Sequence, residues 1–242
     1  IYISIDLSGS MGWSVGGSTN PPAGQSRWDL ARNGLNQTAD MIWSDVRFGL
    51  GSYGGSCSTN HIRNIDEYTA QEIKNAYNNL RPSGSTPTLR PIRDIINNNR
   101  LRDPLDPHDA DRVKALLLVT DGEPNCDSSE VNQIVSELED LHDNQGILTF
   151  VVGFAHNTTS LQRFAQAGGT GTHYLANDAN SLANAIKDVA DLLVSCSFAL
   201  TPAPEDPNKV WVKIDGQYLD RGDCSVQGNT LEIDSAVCDQ LR

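Results

Sequence analysis

Ile1-Tyr-Ile-Ser-Ile-Asp-Leu-Ser-Gly-Ser-Met11 is the stretch on which the fold turns. Its first half, a β-branched and aromatic run, has the composition of a buried strand, and it breaks off at Asp6, Ser8 and Ser10. Three oxygen-bearing side chains at i, i+2 and i+4, with Gly9 between the serines, let the backbone curl until all three face one point. Oxygen donors gathered at a strand end suit a hard divalent cation, Mg2+ first, with Mn2+ and Ca2+ as alternatives. Taken alone, the same residues equally describe Asx and Ser turns or a helix cap.

Two further stretches decide between these readings. Arg81-Pro-Ser-Gly-Ser-Thr-Pro-Thr-Leu-Arg-Pro91 sets Thr86 in a Gly/Ser/Pro turn just ahead of a helical pattern. Val113-Lys-Ala-Leu-Leu-Leu-Val-Thr-Asp-Gly-Glu-Pro124 is an apolar strand ending in Asp121 and Gly122. With these in place, residues 1–195 resemble the von Willebrand factor A family, whose metal-ion-dependent adhesion site is written D-x-S-x-S, then Thr, then Asp. Asp6, Ser8, Ser10, Thr86 and Asp121 fill all five positions. The resemblance implies that Ser8, Ser10 and Thr86 touch the metal, that Asp6 and Asp121 act mostly through water, and that an Asp or Glu of a protein partner completes the shell. It implies a metal-dependent adhesion or protein-binding domain and not an enzyme. Only two carboxylates face a divalent charge, so the ion stays electron-poor and keeps a position open to an acidic guest.

At 242 residues the chain is long enough to bury a full core and leave a smaller second unit. Its formal charge of −13 argues against nucleic acid and anionic membrane as partners. No apolar run reaches the length of a membrane span, so direct insertion of this stretch is not expected. The sequence opens on a core strand without an initiating Met, which reads as a piece of a longer precursor with a segment or anchor missing at its N-terminus. Five cysteines, Cys57, Cys126, Cys196, Cys224 and Cys238, form no C-x-x-C pair, and three of them crowd the stretch least able to build a core alone. That distribution points to an oxidising setting: secreted or cell-surface, with outer-membrane anchoring of the full-length precursor as one form of it. Pairing is not fixed by a single sequence. Cys196 with Cys238, closing the tail, and Cys57 with Cys126, joining two loops beside the metal, are the pairings expected.

Along the chain, helical and strand patterns alternate. Ser26-Arg-Trp-Asp29 and Thr69-Ala-Gln-Glu72 have the form of capping boxes, and Asp127-Ser-Ser-Glu130 reads as the start of another helix. Strands are expected at Val46–Tyr53, Val113–Thr120, Ile147–Gly153 and Thr172–Ala176, with Gly54–Asn60 a loop carrying Cys57. This cadence predicts an α/β, doubly wound, mostly parallel sheet with one antiparallel edge strand. From Cys196 the pattern shortens into a small all-β module over 196–242, with Asp215-Gly216 as a hairpin signal. Trp13, in the Gly-rich stretch after the metal loop, is expected to pack down on its base, with a ligand-contacting rim as the other reading. Glu123 is a second rim candidate. Glu123 and Asp127 beside Asp121 read as helix-capping acids before a second cation site.

Other functions leave weaker traces. Ser10, Asp121 and either His156 or His173 fall in the chain order of an α/β-hydrolase triad, but Leu7–Met11 lacks the G-x-S-x-G elbow. A phosphoryl-transfer aspartate at Asp6 needs an acid two residues on, where Ser8 stands. An intracellular partner of an ATPase or chelatase accounts for the metal motif but not for the cysteine-dense tail.

Overall fold

The computed structural model describes residues 1–43, 46–107, 109–126, 130–193, 196–214 and 216–238. Readings that rest on Asp127, Ser128, Ser129, Ser195 and Asp215 lie outside the described residues. The chain divides into two compact units, Ile1–Val189 and Ala190–Arg242.

In the first unit, strands β1 (Tyr2–Leu7), β2 (Phe48–Gly54), β3 (Ser58–Asp66), β4 (Ala115–Thr120), β5 (Leu148–Phe154) and β6 (Tyr174–Ala176) form one sheet in the order β3-β2-β1-β4-β5-β6. All neighbours are parallel except β2 and β3. Helices α1 (Arg27–Ile42), α2 (Ala70–Tyr77), α3 (Leu89–Asn97), α4 (Glu130–Gln145) and α5 (Thr159–Ala167) lie on the connections between strands, and α6 (Ala179–Leu193) follows β6. β1 and β4 are buried at every position, as a parallel strand covered on both faces must be. Leu116 and Leu118 of β4 pack with Ile92 of α3, Leu138 of α4 and Phe164 of α5 in one apolar cluster. α1 meets α2 through an edge-on Trp28–Tyr77 pair and approaches α6 at Gly34, where an added Cβ would meet Ala179 O at 2.8 Å. Both expected capping boxes form: Ser26 with Asp29 and Thr69 with Glu72.

The departures from expectation have physical causes. Ser58–Asn60, read as loop, belong to β3, the antiparallel edge strand. Its sequence, Ser-Thr-Asn-His-Ile-Arg-Asn-Ile-Asp, buries only Ile65, so it carries no apolar alternation. β4 starts at Ala115 rather than Val113, and Val113 is exposed. β6 is only three residues long.

The second unit has a three-stranded antiparallel sheet, β10 (Cys224–Gln227), β11 (Thr230–Ile233) and β7 (Ser197–Ala199), and a two-residue ladder of β8 (Lys213–Ile214) with β9 (Gln217–Tyr218). It is not wholly β: a helical turn, α7 (Ser235–Cys238), closes it. Cys196 is disulfide-bonded to Cys238 with Cα atoms 5.8 Å apart, and Cys224 is a free thiol. Few large side chains are buried among the described residues here, Leu231 and Ile233 among them, so the crosslink supplies part of what a small core cannot.

Tyr2 lies across two glycines of the neighbouring strand. A Cβ on Gly49 would sit 2.4 Å from the Tyr2 ring and 2.8 Å from Ile65, and one on Gly51 would meet the Tyr2 hydroxyl at 2.7 Å. Gly49→Ala is therefore expected to cost about 1–3 kcal/mol by overpacking, seen as a lower urea midpoint with an unchanged slope.

Candidate metal centre

β1 and β4 are adjacent and parallel, with Ile5 opposite Val119, and the strand order turns outward from this pair in both directions. Ligands of open α/β sheets sit at such a point, beyond the carboxyl ends of the strands. Asp6 and Asp121 stand there. Beyond β1 the chain enters a single 3-10 turn, Gly9–Gly12, that brings the two serines side by side. Ser8 Oγ and Ser10 Oγ are 3.0 Å apart. Ser10 donates to Asp121 Oδ1 at 2.8 Å, and Ser8 reaches the same oxygen at 3.5 Å. Asp6 Oδ1 accepts the Ser8 backbone N–H at 2.7 Å, and Asp6 Oδ2 accepts the Thr120 hydroxyl at 2.7 Å. Thr86 is buried, and a Cβ placed on Gly122 would meet Thr86 Oγ1 at 3.7 Å and Ser10 Oγ at 4.0 Å, so both hydroxyls border one point. The five residues read from the sequence are thus gathered, and their donor set, two carboxylates and three hydroxyls, is all oxygen and suits a hard divalent cation.

The Thr86 loop is held from several sides. Gly55 and Gly84 form a parallel bridge, with Gly55 donating to Ser83 O at 2.7 Å and Ser85 donating to Gly55 O at 2.8 Å. Gly84 has φ +70°, and a Cβ there would fall on the Gly55 carbonyl, so both conformation and space require glycine. Gly9 N–H donates to Gly84 O at 2.9 Å, tying the loop to the serine turn. Asn125 grips Thr86 reciprocally, its Oδ1 accepting the Thr86 N–H at 2.8 Å and its own N–H donating to Thr86 O at 3.2 Å. Close to Gly55 and Asn125 in sequence, Cys57 and Cys126 are joined by a disulfide with Cα atoms 5.8 Å apart. Buried Glu130, read from the sequence as part of a helix cap, reaches across to accept the N–H groups of Leu89 and Cys126 at 2.8 and 3.1 Å. Hydrogen bonds and one disulfide thus close a ring around Thr86.

Four contributors had no reading of this kind in the sequence: Thr120, Asn125, Glu130 and Arg27. Thr120 was legible in principle, as a hydroxyl ending an apolar strand. Arg27, the first residue of α1, donates from Nη1 to Asp121 Oδ2 at 2.7 Å across 94 positions of chain. Trp13 is 40 % exposed, so packing on the loop base covers it only in part. Glu123 borders an open cleft with Asn157, Gln162 and His173. The hydrolase order is not assembled. Ser10 bonds to Asp121 and Ser8, His173 bonds to Gln162 and Asn157, and His156 Nε2 is buried without a hydrogen-bond partner among the described residues.

The chain belongs to the von Willebrand factor type A domain family, whose model matches residues 1–188. It is 25 % identical over 200 residues to the uncharacterised Bacillus subtilis protein YwmD, covering 76 % of this chain and 82 % of that one. In fold it is similar to the PilB minor pilin of Streptococcus sanguinis, with TM-score 0.57 and 17 % identity over 79 % of this chain and 60 % of the pilin. It is also similar to proximal thread matrix protein 1 of the mussel byssus, solved with a zinc-occupied metal-ion-dependent adhesion site, with TM-score 0.55 and 16 % identity over 82 % of this chain and 48 % of that one. The chain thus spans about three fifths and about half of these two solved proteins.

Two outcomes follow from the geometry. Burial first, and then the neighbouring Asp121, push the Asp6 carboxyl up to about 7 against the hydrogen bonds from Ser8 and Thr120. Between pH 4 and 7 the folded protein in chelator therefore holds a proton that the unfolded chain has lost. Stability falls as pH rises through that window, by up to about 1.4 kcal/mol for each tenfold drop in proton concentration. Melts at pH 4.5 and 7.5 are expected to show this slope in the wild type and to lose it in Asp6→Asn. The Cys57–Cys126 crosslink closes a separation of 69 residues. Replacing both with Ser is expected to cost about 2–4 kcal/mol of stability and, by loosening Thr86, to weaken Mn2+ binding in calorimetry.

Proposed function

We propose that this chain is a divalent-metal-dependent binding domain, with Mg2+ as its ion, that captures an Asp or Glu of a protein partner. The observation that carries the reading is the convergence of Ser8, Ser10 and Asp121 Oδ1 within 2.8–3.5 Å of one another, with Asp6 behind them and Thr86 alongside. Ser8, Ser10 and Thr86 offer neutral oxygens, and Asp6 and Asp121 supply the only carboxylates of the set. When bound, the ion supplies a Lewis-acidic position with charge left over for a guest carboxylate. Asp6 fixes the serine turn through the Ser8 N–H, while Asp121 holds the serine hydroxyls toward it. A function in adhesion or surface assembly outside the cytoplasm, secreted or at a bacterial cell surface, is supported by the two disulfides, the acidic surface and the likeness to a pilin. The same disulfides weigh against an intracellular role beside an ATPase or chelatase. No catalytic role is assigned to Ser10, Asp121 or Asp6.

Calorimetry with Mn2+ is expected to give one saturable site in the wild type, weakened about tenfold or more in Thr86→Ala and Asp6→Ala. Immobilised protein is expected to retain surface proteins in Mg2+, to release them to a chelator, and to ignore proteins whose carboxyls have been amidated. Saturable capture that survives both chelator and amidation contradicts the proposal, as does a wild type without a metal site.

A further inference from the structure

Asp121 is held at both of its oxygens. Oδ1 takes the Ser10 hydroxyl at 2.8 Å and Oδ2 takes the Arg27 guanidinium at 2.7 Å, with no solvent access to the Asp121 side chain and 11 % exposure at Arg27. Arg27 is itself fixed. Its backbone N–H donates to Trp13 O at 2.7 Å, its Nε donates to Ser14 O at 3.2 Å, and the Ser26 capping box sets the helix turn from which it projects. A permanent positive charge on a planar, strongly bonded fork, this deep in the site, is not a surface ion pair. It occupies the carboxylate oxygen turned away from the serines.

We infer that Arg27 is a positioning residue that tunes the centre toward acidic guests: it commits half of Asp121 to a guanidinium and so leaves a bound divalent ion under-neutralised. This rests on the metal reading above. With Asp6 and Asp121 balancing a divalent charge, the guanidinium adds one positive charge a few ångströms away. That charge repels the ion and attracts the carboxylate that would join it. Because Arg27 and Ser10 pull on opposite oxygens, Asp121 is also kept from swinging inward to neutralise the ion directly. Arg27 therefore weakens the hold on the metal and strengthens the hold on the guest. The same side chain reaches Ser14, next to half-exposed Trp13, so the loop flanking the guest is set by the residue that sets the charge.

The test uses Mn2+ and acetate as probes on the intact chain. Arg27→Gln and Arg27→Met, the latter keeping an apolar stem under the loop, are expected to bind Mn2+ about tenfold more tightly than the wild type in calorimetry. Arg27→Lys, which keeps the charge, is expected to stay near the wild type. Acetate, a minimal carboxylate, is expected to displace water from bound Mn2+, read by water-proton relaxation, at a lower concentration in the wild type than in either neutral variant. Either neutral variant that folds, checked by circular dichroism, serves. Unchanged or weaker Mn2+ binding in the neutral variants, an acetate midpoint that does not move, or Arg27→Lys matching Arg27→Gln overturns the inference while leaving the metal centre in place. A wild type that takes up no Mn2+ overturns the metal reading itself, and this inference with it.

Discussion

Two carboxylates with almost no access to water stand at the ends of adjacent parallel strands, and the surrounding structure answers to that placement. Burying Asp6 beside Asp121 is unfavourable, because desolvation and the neighbouring charge both oppose the Asp6 carboxylate. The sheet order imposes it all the same, since β1 and β4 are hydrogen-bonded neighbours from which the chain winds both ways. The compensation is local and specific. Ser8 N–H and the Thr120 hydroxyl bond Asp6, and the serine hydroxyls and Arg27 bond Asp121. A divalent ion among the hydroxyls would complete that compensation.

The second constraint is placement of Thr86, the one donor of the five that is carried neither by β1 and the turn after it nor by the residue that follows β4. Its loop is pinned by backbone bonds to Gly55 and Gly9, by the side chain of Asn125 and, one residue further on, by the Cys57–Cys126 crosslink. Preorganisation of this kind lets neutral hydroxyls compete with water for an ion, because the entropy of gathering them is lost on folding rather than on binding. Whole-protein roles are a separate matter. A pilin and a byssus matrix protein share this fold at under 20 % identity, so the sheet by itself assigns no role.

Most of the central sheet was legible because parallel strands buried on both faces read as unbroken apolar runs, as Leu116–Val119 does, and because the oxygens at their ends stand out against such runs. The capping residues Ser26 and Thr69 were legible for the same reason, being local. β3 was not: an edge strand with one buried side chain has no periodicity to detect. Nor was the Arg27–Asp121 pair, which joins residues 94 positions apart and leaves no trace in spacing. Glu130 was visible as an acid at a helix start, but its partners lie on another helix and loop, where only the fold brings them. In the second unit, β10 was missed because its exposed and half-buried residues alternate without large apolar side chains.

Anomalous diffraction from crystals grown with Mn2+ tests the central claim most directly. One peak is expected beyond the ends of β1 and β4, within about 2.0–2.3 Å of Ser8 Oγ, Ser10 Oγ and Thr86 Oγ1, with Arg27 still on Asp121 and one position facing solvent. A peak elsewhere, or none at saturating Mn2+ with the three hydroxyls ordered as they stand here, contradicts it.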